Sequence, residues 1–174
     1  YGGNPGDLEE IIKIGKKYDL KVIQDGAQSL GAQYHGKPMG ANTLISTMSF
    51  HMAKIISTVE GGMVFTSSKK LKEEIVMRRS HGEKKPGDYE HNLLGTNARM
   101  TDIQASVGLA QLKKLKNFVK KRNYVARCYN NLFADCEKIT LPKTKPYCTN
   151  SYFFYPILIN NRDYKIRWKL KSLY

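Results

Sequence analysis

Residues 47–54 read TMSFHMAK, and residues 55–62 continue with IISTVEGG. An apolar, β-prone run from Leu44 to Phe50 ends inside this stretch, and a lone lysine, Lys54, follows four residues later. Two glycines then precede a second strand-like run at Met63–Thr66. The pattern predicts two strands joined by a turn that holds Lys54 near the strand ends. Because most lysines are solvated loop residues, this stretch alone leaves the role of Lys54 open.

The segment before this stretch predicts a helix followed by a strand. Pro5-Gly6 interrupts the chain, and Asp7 is a candidate N-cap with Glu10 placed to reach back. Four apolar positions then share one helical face: Leu8, Ile11, Ile12 and Tyr18. Residues 20–24 predict a short strand, and the alternation of helix and strand indicates α/β architecture.

Asp25 follows that strand and opens the sequence DGAQSLG. In open α/β sheets, ligand chemistry gathers beyond the carboxyl ends of the strands, which favours a functional role for Asp25. Asp is also common as the cap of a helical turn, and residues 27–30 could form such a turn. From these residues alone, the two interpretations stay open.

The second half of the chain predicts further helices. Ser67-Ser68 is suited to cap a helix that ends near Arg79, and a polar surface loop follows at 80–97. A long amphipathic helix then begins at Thr101 or Asp102. Its buried side is predicted to consist of Ile103, Val107, Ala110, Leu112 and Leu115. Residues 152–159 predict a strand, and a last helix is expected to begin near Arg162.

Composition narrows the class of protein. With 174 residues and 41% apolar content, the chain can bury a core. It begins with Tyr1, and we expect it to be a piece of a longer polypeptide. Its apolar runs fall short of the ~18 residues that span a bilayer, so we expect a cytoplasmic protein without membrane contact. The odd number of cysteines (Cys128, Cys136 and Cys148) and the absence of CxxC or HxxxH spacing predict reduced thiols and no metal site.

The net charge of +14 is unevenly distributed. Residues 1–62 carry six basic and six acidic side chains, so residues 63–174 supply the whole excess. An anionic partner is one explanation. A nucleic acid is the least favoured such partner, because the basic residues lie on a helix and loops without interleaved stacking aromatics. A solvated lysine face or a sugar-diphosphate substrate explains the charge better.

Four candidate side chains come from the two predicted strand ends: Asp25, Gln28, Ser49 and Lys54. An amine nucleophile, a fixed carboxylate and a nearby hydroxyl donor are what a pyridoxal phosphate enzyme needs. Lys54 would form the Schiff base, and Asp25 would keep the pyridine nitrogen protonated. Gln28 could hydrogen-bond the ring hydroxyl oxygen, and Ser49 the phosphate.

The chain resembles the DegT-type nucleotide-sugar aminotransferases, a branch of the aspartate-aminotransferase-like (type I) pyridoxal phosphate fold. The matching stretches run collinearly over about residues 1–130: YGGNPGD at 1–7, DGAQSLGA at 25–32, SFHMAK at 49–54, EGGM at 60–63, RSHG at 79–82 and GTNARMTD at 95–102. The resemblance implies the three-layer α/β sandwich of the large cofactor-binding domain at 1–130. It also implies the truncated start of a small α/β C-terminal domain at 131–174.

The resemblance also assigns roles residue by residue. It places Lys54 at the Schiff-base lysine, Asp25 at the pyridine-nitrogen partner, Gln28 beside the ring hydroxyl and Ser49 at the phosphate. It places Asn97 where the family lends an asparagine to the phosphate site of a neighbouring subunit, which implies a homodimer. Related sugar dehydratases carry histidine in place of the lysine, so Lys54 favours transamination of a nucleotide-linked keto-sugar, with glutamate or glutamine as the donor.

Two departures qualify this assignment. Gln24 stands where the family usually has glutamate before the cofactor-pairing aspartate. The family's phosphate-binding Gly-Ser/Thr loop and the aromatic residue that stacks on the cofactor come from a region before Tyr1. We therefore expect the chain on its own to bind the cofactor weakly. The alternative is a catalytically incomplete fragment or remnant of that family without turnover.

Overall fold

The structure, a computed structural model, describes residues 1–85 and 87–160. The helices are α1 (Leu8–Lys17), α2 (Lys69–Arg79), α3 (Asp102–Leu112) and α4 (Leu115–Leu132). The strands are β1 (Ile23–Asp25), β2 (Gln33–Tyr34), β3 (Lys37–Pro38), β4 (Ile45–Ser49), β5 (Gly62–Thr66), β6 (Ile139–Thr140), β7 (Cys148–Thr149) and β8 (Leu158–Ile159). The mixed α/β class predicted from the sequence is confirmed.

β4 is the central strand of the main sheet, which has the order β1-β4-β5. β1 lies parallel to β4, with Asp25 opposite Thr47. β5 lies antiparallel to β4, with Ser49 opposite Gly62. The parallel pair therefore brings the carboxyl ends of β1 and β4 to one edge, and the antiparallel pair returns the chain from that edge.

The core lies against one face of β4. Along this strand buried and half-buried side chains alternate, with Ser46 and Met48 buried. This is the period of two expected for a strand that has one face covered. Met48 packs with the buried Phe50 and Ile56, and Leu115 of α4 is among the residues packed against them. The core is therefore built largely from the stretch that the sequence pattern marked first.

Two smaller sheets tie distant segments together. One has the order β3-β2-β7, and the other pairs β6 with β8. The N-terminal residues also reach the C-terminal segment, because Ser151 N–H donates to Gly3 O (3.0 Å) and Phe154 N–H donates to Gly2 O (3.2 Å). The division of the chain into domains at residue 130 stays a prediction.

The predictions for β4, β5 and α2 are confirmed within one or two residues. Residues 44–50 contain β4, and residues 63–66 lie in β5. α2 ends at Arg79 as predicted, and the Ser68 Oγ caps it by accepting from Leu71 N–H (3.3 Å). Local sequence decides these three elements.

The predicted capping box of α1 is wrong. Asp7 occupies the N-cap position without a side-chain cap bond, and Glu10 pairs with Lys13 instead. The Asp7 carboxylate bonds the ammonium group of Lys145, and it also accepts from the Tyr34 hydroxyl (3.4 Å). The hydrogen bond with Lys145 lowers the pKa of Asp7, and the same bond raises the pKa of Lys145.

The apolar face and the end of α1 also differ from expectation. Leu8 and Gly15 are its buried residues, whereas Ile11 and Tyr18 are exposed. The strand predicted at 20–24 begins only at Ile23 and includes Asp25 as its last residue. The reason is local, since Leu20 N–H closes the helix by donating to Gly15 O (2.8 Å).

The single helix predicted after Thr101 is two helices. α3 and α4 are separated at Lys113-Lys114, where Lys114 N–H donates to Gln111 O (2.9 Å). This three-residue spacing tightens the turn and re-aims the chain, so that Leu115 packs on the core. The predicted buried side is wrong for the rest of the set, because Ile103, Val107, Ala110 and Leu112 are all exposed.

The strand predicted at 152–159 is reduced to β8 at its end. Tyr152 has a positive φ of 47°, which a strand residue does not adopt, and Pro156 cannot donate to a sheet ladder. The helix predicted near Arg162 lies outside the described residues.

Candidate functional site

The candidate site lies at the carboxyl ends of β1 and β4. Their parallel pairing puts Asp25 beside Thr47, two residues before Ser49. Gly26 N–H donates to Thr47 O (2.8 Å), so the two chains stay together one residue past the end of β1. The predicted meeting of two parallel strand ends is confirmed, and it brings the segments that carry Asp25, Gln28 and Ser49 to one edge of the sheet.

The Asp25 side chain is exposed and held by a turn. Its Oδ1 accepts from Ala27 N–H (2.9 Å), which is the capping role that the sequence left open. A carboxylate has a second oxygen, and no hydrogen bond from the described part of the chain reaches it. The turn therefore fixes one oxygen of Asp25 and leaves the other able to accept a further donor.

Gln28 and Ser49 are both half-buried and have one atom already engaged. Gln28 Oε1 accepts from Gly2 N–H (2.9 Å), which ties the N-terminal segment to this edge. Ser49 Oγ accepts from His51 N–H (3.3 Å). Both bonds use acceptor capacity, and no hydrogen bond among the described residues uses the Gln28 amide N–H or the Ser49 hydroxyl hydrogen, so both remain as donors there.

Lys54 lies on a loop of residues 50–61, called the lysine loop below, that is closed at its base by backbone hydrogen bonds. Phe50 N–H donates to Gly61 O (2.8 Å), and Thr58 N–H donates to Phe50 O (2.9 Å). Lys54 N–H donates to His51 O (2.9 Å), so the backbone that carries the lysine is itself part of a turn. The closed base limits how far the lysine backbone can move from the end of β4.

The side chain of Lys54 is half-buried, and its Nζ lies 5.0 Å from the ring centroid of Phe153. This is the range of a cation–π contact. The residues that follow, Ile55 and Ile56, are buried and anchor the C-terminal side of the lysine. Phe153 was not identified from the sequence, and nothing in its own surroundings indicates a contact with Lys54.

The side chains of His51 and Glu60, both on the lysine loop, face each other. His51 Nδ1 accepts from Ala53 N–H (3.2 Å), so the neutral ring carries its proton on Nε2. That nitrogen lies 3.6 Å from Glu60 Oε1. The pair joins the beginning of the loop to its end. His51 belongs to the sequence at 47–54, but no sequence pattern indicated that Glu60 would be its partner.

Asn97 lies apart from the other four candidates. It is exposed, it forms an isolated bridge with Ser80, and its Oδ1 accepts from Arg99 Nε (3.0 Å). Within the described residues it shares no hydrogen bond with Asp25, Gln28 or the lysine loop. The structure thus holds Asn97 on a separate, backbone-anchored loop.

Other kinds of site find little support in the residues that the structure describes. Among them, no group of three or more His, Cys, Asp or Glu side chains is placed to bind a metal ion. The three cysteines are free thiols, and burial raises the pKa of the Cys148 thiol. Within residues 1–85 and 87–160, none of the helices is both long and apolar enough to cross a bilayer.

A family model and several known proteins match this chain. The model of the DegT/DnrJ/EryC1/StrS aminotransferase family matches residues 1–173. The UDP-4-amino-4,6-dideoxy-N-acetyl-beta-L-altrosamine transaminase of Campylobacter jejuni is 37% identical over 161 residues, which are 91% of this chain and 43% of that protein.

Solved structures of aminotransferases and of a related dehydratase have the same fold as this chain. Helicobacter pylori PseC, an aminotransferase of pseudoaminic acid biosynthesis, matches with a TM-score of 0.90 and 34% identity over 99% of this chain and 47% of its own. The E. coli GDP-4-keto-6-deoxy-D-mannose-3-dehydratase, solved with bound hydrated pyridoxal phosphate, matches with a TM-score of 0.87 and 25% identity, over 99% and 49%.

This chain spans less than half the length of these relatives. The fold predicted from the sequence is confirmed, because the likeness to aminotransferase structures covers nearly all of the chain. The match of the family model is equally extensive. The chain belongs to the DegT/DnrJ/EryC1/StrS aminotransferase family.

Proposed function

We propose that this chain carries the reactive lysine of a pyridoxal-phosphate-dependent aminotransferase that acts on a nucleotide-linked keto-sugar. Glutamate or glutamine is the proposed amino donor. The observation that carries the proposal is the position of Lys54, on a closed loop that leaves the sheet edge where the Asp25 carboxylate is held. Family membership and the named function of the Campylobacter jejuni transaminase support it.

The atoms left available at this edge fit the cofactor. A phosphate group needs donors, and the Ser49 hydroxyl hydrogen remains free to donate because its oxygen accepts from the loop backbone. A protonated pyridine nitrogen needs an acceptor, and Asp25 keeps its second oxygen. A ring hydroxyl oxygen needs a donor, and Gln28 keeps its amide N–H. Each predicted contact therefore has the required atom.

Pyridoxal phosphate, when bound, supplies an aldehyde carbon that joins amines covalently and a cationic ring that accepts electrons. Lys54 would hold the cofactor through Nζ, and, once released from it, the same nitrogen would serve as general base and acid that moves a proton to and from the substrate carbon. Asp25 would accept a charge-assisted hydrogen bond from the ring nitrogen and keep it protonated. The closed base of the lysine loop keeps the Lys54 backbone in place while Nζ exchanges partners.

Asn97 is proposed to serve the phosphate site of a second copy of the chain. Its Oδ1 is engaged by Arg99, which leaves the amide N–H groups as donors on an exposed loop. α3 begins five residues later and exposes large apolar side chains, with Ile103 79% and Leu109 64% exposed. An apolar face next to a phosphate donor supports a homodimer whose sites are completed across the interface.

The proposal is tested by finding the lysine that the cofactor labels. The complete protein is incubated with pyridoxal phosphate, reduced with borohydride and digested, and the pyridoxyl group is mapped by mass spectrometry. We expect it on Lys54, and we expect Lys54→Arg to abolish labelling. Lys37→Arg is the control, since Lys37 is an exposed lysine of β3 outside the lysine loop. Labelling of another lysine in the wild-type protein contradicts the assignment.

Turnover is measured with the same preparation on a 4-keto-sugar nucleotide and glutamate. Amino-sugar formation that depends on Lys54 supports the aminotransferase. Labelling of Lys54 without any turnover supports the alternative, a family member that retains the fold and the lysine but does not complete the reaction.

A further inference from the structure

The end of the lysine loop is held by a residue of α3. The carbonyl oxygen of Glu60 accepts two side-chain hydrogen bonds, one from Thr58 Oγ1 (2.7 Å) and one from Gln104 Nε2 (3.1 Å). The first bond is internal to the loop. The second joins the loop to another element, 44 residues further along the chain.

The same Gln104 side chain also caps its own helix. Its Oε1 accepts from Thr101 N–H (3.0 Å), while Gln104 N–H donates to Thr101 Oγ1 (3.3 Å). This reciprocal capping box defines the start of α3. One amide group therefore uses its oxygen for the helix cap and its nitrogen for the lysine loop, so the helix start and the loop cannot move independently without losing a bond.

Packing at the same place is tight, which is an independent observation. A Cβ at Gly108 of α3 would lie 2.8 Å from Thr58 Cγ2, and a Cβ at Gly61 would lie 2.4 Å from Thr58 Oγ1. Gly61 also has φ +157, at the edge of the region that favours glycine. Only glycines leave room for Thr58 between the loop and the helix. The loop is thus clamped from two sides around Thr58.

We propose that Gln104 is a positioning residue for Lys54 and that it couples the lysine loop to the start of α3. The path is short. Gln104 Nε2 donates to the carbonyl oxygen of Glu60. At the next residue Gly61 O accepts from Phe50 N–H, and Phe50 O accepts from Thr58 N–H. These bonds close the loop whose middle carries Lys54. The importance of this coupling for catalysis rests on the function proposed above.

The coupling has a consequence for a dimer. Asn97, the proposed donor to the partner's phosphate, lies four residues before the Thr101 cap. A change that orders the start of α3, such as filling the partner's phosphate site, therefore also tightens the loop that carries Lys54 in the same chain. The loop that carries Lys54 in one copy would thus become more ordered when Asn97 of the same copy binds in the phosphate site of the partner.

The test separates the two roles of the Gln104 side-chain amide, which are to cap α3 and to bind the carbonyl oxygen of Glu60. Gln104→Glu keeps an acceptor for the Thr101 cap and replaces the donor to Glu60 with a carboxylate oxygen. Gln111→Glu is the matched control, because it makes the same change on α3, and the Gln111 side chain makes no hydrogen bond with the rest of the described chain. Thr101→Ala removes the hydroxyl cap and leaves the donor to Glu60 in place.

The first measurement is amide hydrogen exchange in the complete protein without cofactor, followed at Phe50 and Thr58. We expect about tenfold faster exchange in Gln104→Glu, equivalent to ~1.4 kcal/mol, and wild-type rates in Gln111→Glu. If Gln104→Glu fails to fold, Gln104→Met is compared with Thr101→Ala, and only the methionine variant is expected to loosen the loop. Unchanged exchange at Thr58, or equal loosening in Thr101→Ala, overturns the proposal.

The second measurement is the rate at which pyridoxal phosphate and borohydride label Lys54. We expect a severalfold slower rate in Gln104→Glu with the same lysine labelled, and a wild-type rate in Gln111→Glu. A wild-type rate in Gln104→Glu removes the positioning role. If exchange responds but the label lies on another lysine, the coupling between loop and helix stands and the proposed function fails, so the two are distinguished.

Discussion

Replacing Gly26 with alanine tests whether the close approach of β1 and β4 shapes the site. Gly26 is buried, and its N–H donates to Thr47 O at 2.8 Å. A Cβ at this position would lie 2.7 Å from the same oxygen and 2.7 Å from Met48 Cε. The methionine end is flexible and can move, but the carbonyl oxygen belongs to the central strand and cannot. The added methyl group must therefore push the two strands apart beside Asp25.

The size of the effect follows from three contributions. Overpacking a filled site costs ~1–3 kcal/mol, and weakening the hydrogen bond to Thr47 adds ~0.5–1.5 kcal/mol. Reduced freedom of the unfolded chain offsets ~0.4–1 kcal/mol of this when alanine replaces glycine. We expect Gly26→Ala to lower the free energy of unfolding by roughly 0.5–4 kcal/mol, with a middle value of about 2 kcal/mol.

The assay is urea unfolding followed by far-UV circular dichroism, with the slope m compared between variants so that a change in midpoint reports stability. Gly6→Ala is the control, because a Cβ there would meet nothing within 4 Å and Gly6 does not have a positive φ. We expect its stability to stay within about 0.5 kcal/mol of wild type. Wild-type stability of Gly26→Ala, or an equal loss in Gly6→Ala, would refute the argument that strand separation decides the outcome.

Two further predictions concern charge. Asp25→Asn keeps the acceptor for Ala27 N–H, so we expect normal folding, but it loses the charge beside the ring nitrogen. A unit-charge pair about 4 Å apart is worth ~4 kcal/mol near a protein surface, so turnover of the complete enzyme should fall about a thousandfold; near-normal turnover would mean that Asp25 serves only as a cap. Lys145→Met removes the partner of Asp7, whose pKa lies below the ordinary 3.8. A lowered carboxyl pKa stabilises the folded state above the unfolded pKa, and this contribution is lost as the pH falls through the folded pKa. Urea unfolding should therefore show Lys145→Met less stable than wild type at neutral pH, with the difference beginning to shrink near the unfolded pKa and vanishing only below the lowered pKa of Asp7; a difference that persists in stronger acid would assign the effect to packing instead.

The elements that the sequence predicted well are those decided by neighbouring residues. β4 follows from the alternation of side chains between 45 and 49, and α2 begins where Ser68 can reach Leu71 N–H. The candidate edge of the sheet was predictable for the same reason, because β1 and β4 are short strands separated by a connection that permits parallel pairing. The position of Asp25 at the end of a strand then follows from its place in the sequence.

The errors occurred where a distant residue competes with a local pattern. Asp7 has every local feature of an N-cap, yet Lys145 takes its carboxylate from 138 residues away. Ile103 has the spacing of a buried helical position, but it is exposed because no other described segment covers that face of α3. Periodicity predicts which residues share a face, and only the arrangement of the whole molecule determines whether the face is covered.

The candidate site shows the same difference between what local sequence predicts and what depends on distant residues. Lys54 was found from its position after a strand, whereas its contact with Phe153 depends on the path of the C-terminal segment. Gln104 is an intermediate case. The spacing Thr101-x-x-Gln104 is a recognisable capping box, so the sequence could have shown one of its two roles. The other role, the bond to Glu60, depends on the packing of α3 against the lysine loop.

Gln24, where the family usually has glutamate, lies on the opposite face of β1 from the Asp25 carboxylate. Successive strand residues point to opposite faces, and in β1 Gln24 is buried while Asp25 is exposed. Gln24 Oε1 accepts from Gly40 N–H (3.0 Å), a bond that glutamate could also accept, but glutamate would bring a buried charge. The neutral amide satisfies the same backbone donor without that cost. Because it does so on the core side of the strand, the exposed side that carries the Asp25 carboxylate is unaffected, and the assignment of Asp25 does not depend on which of the two residues precedes it.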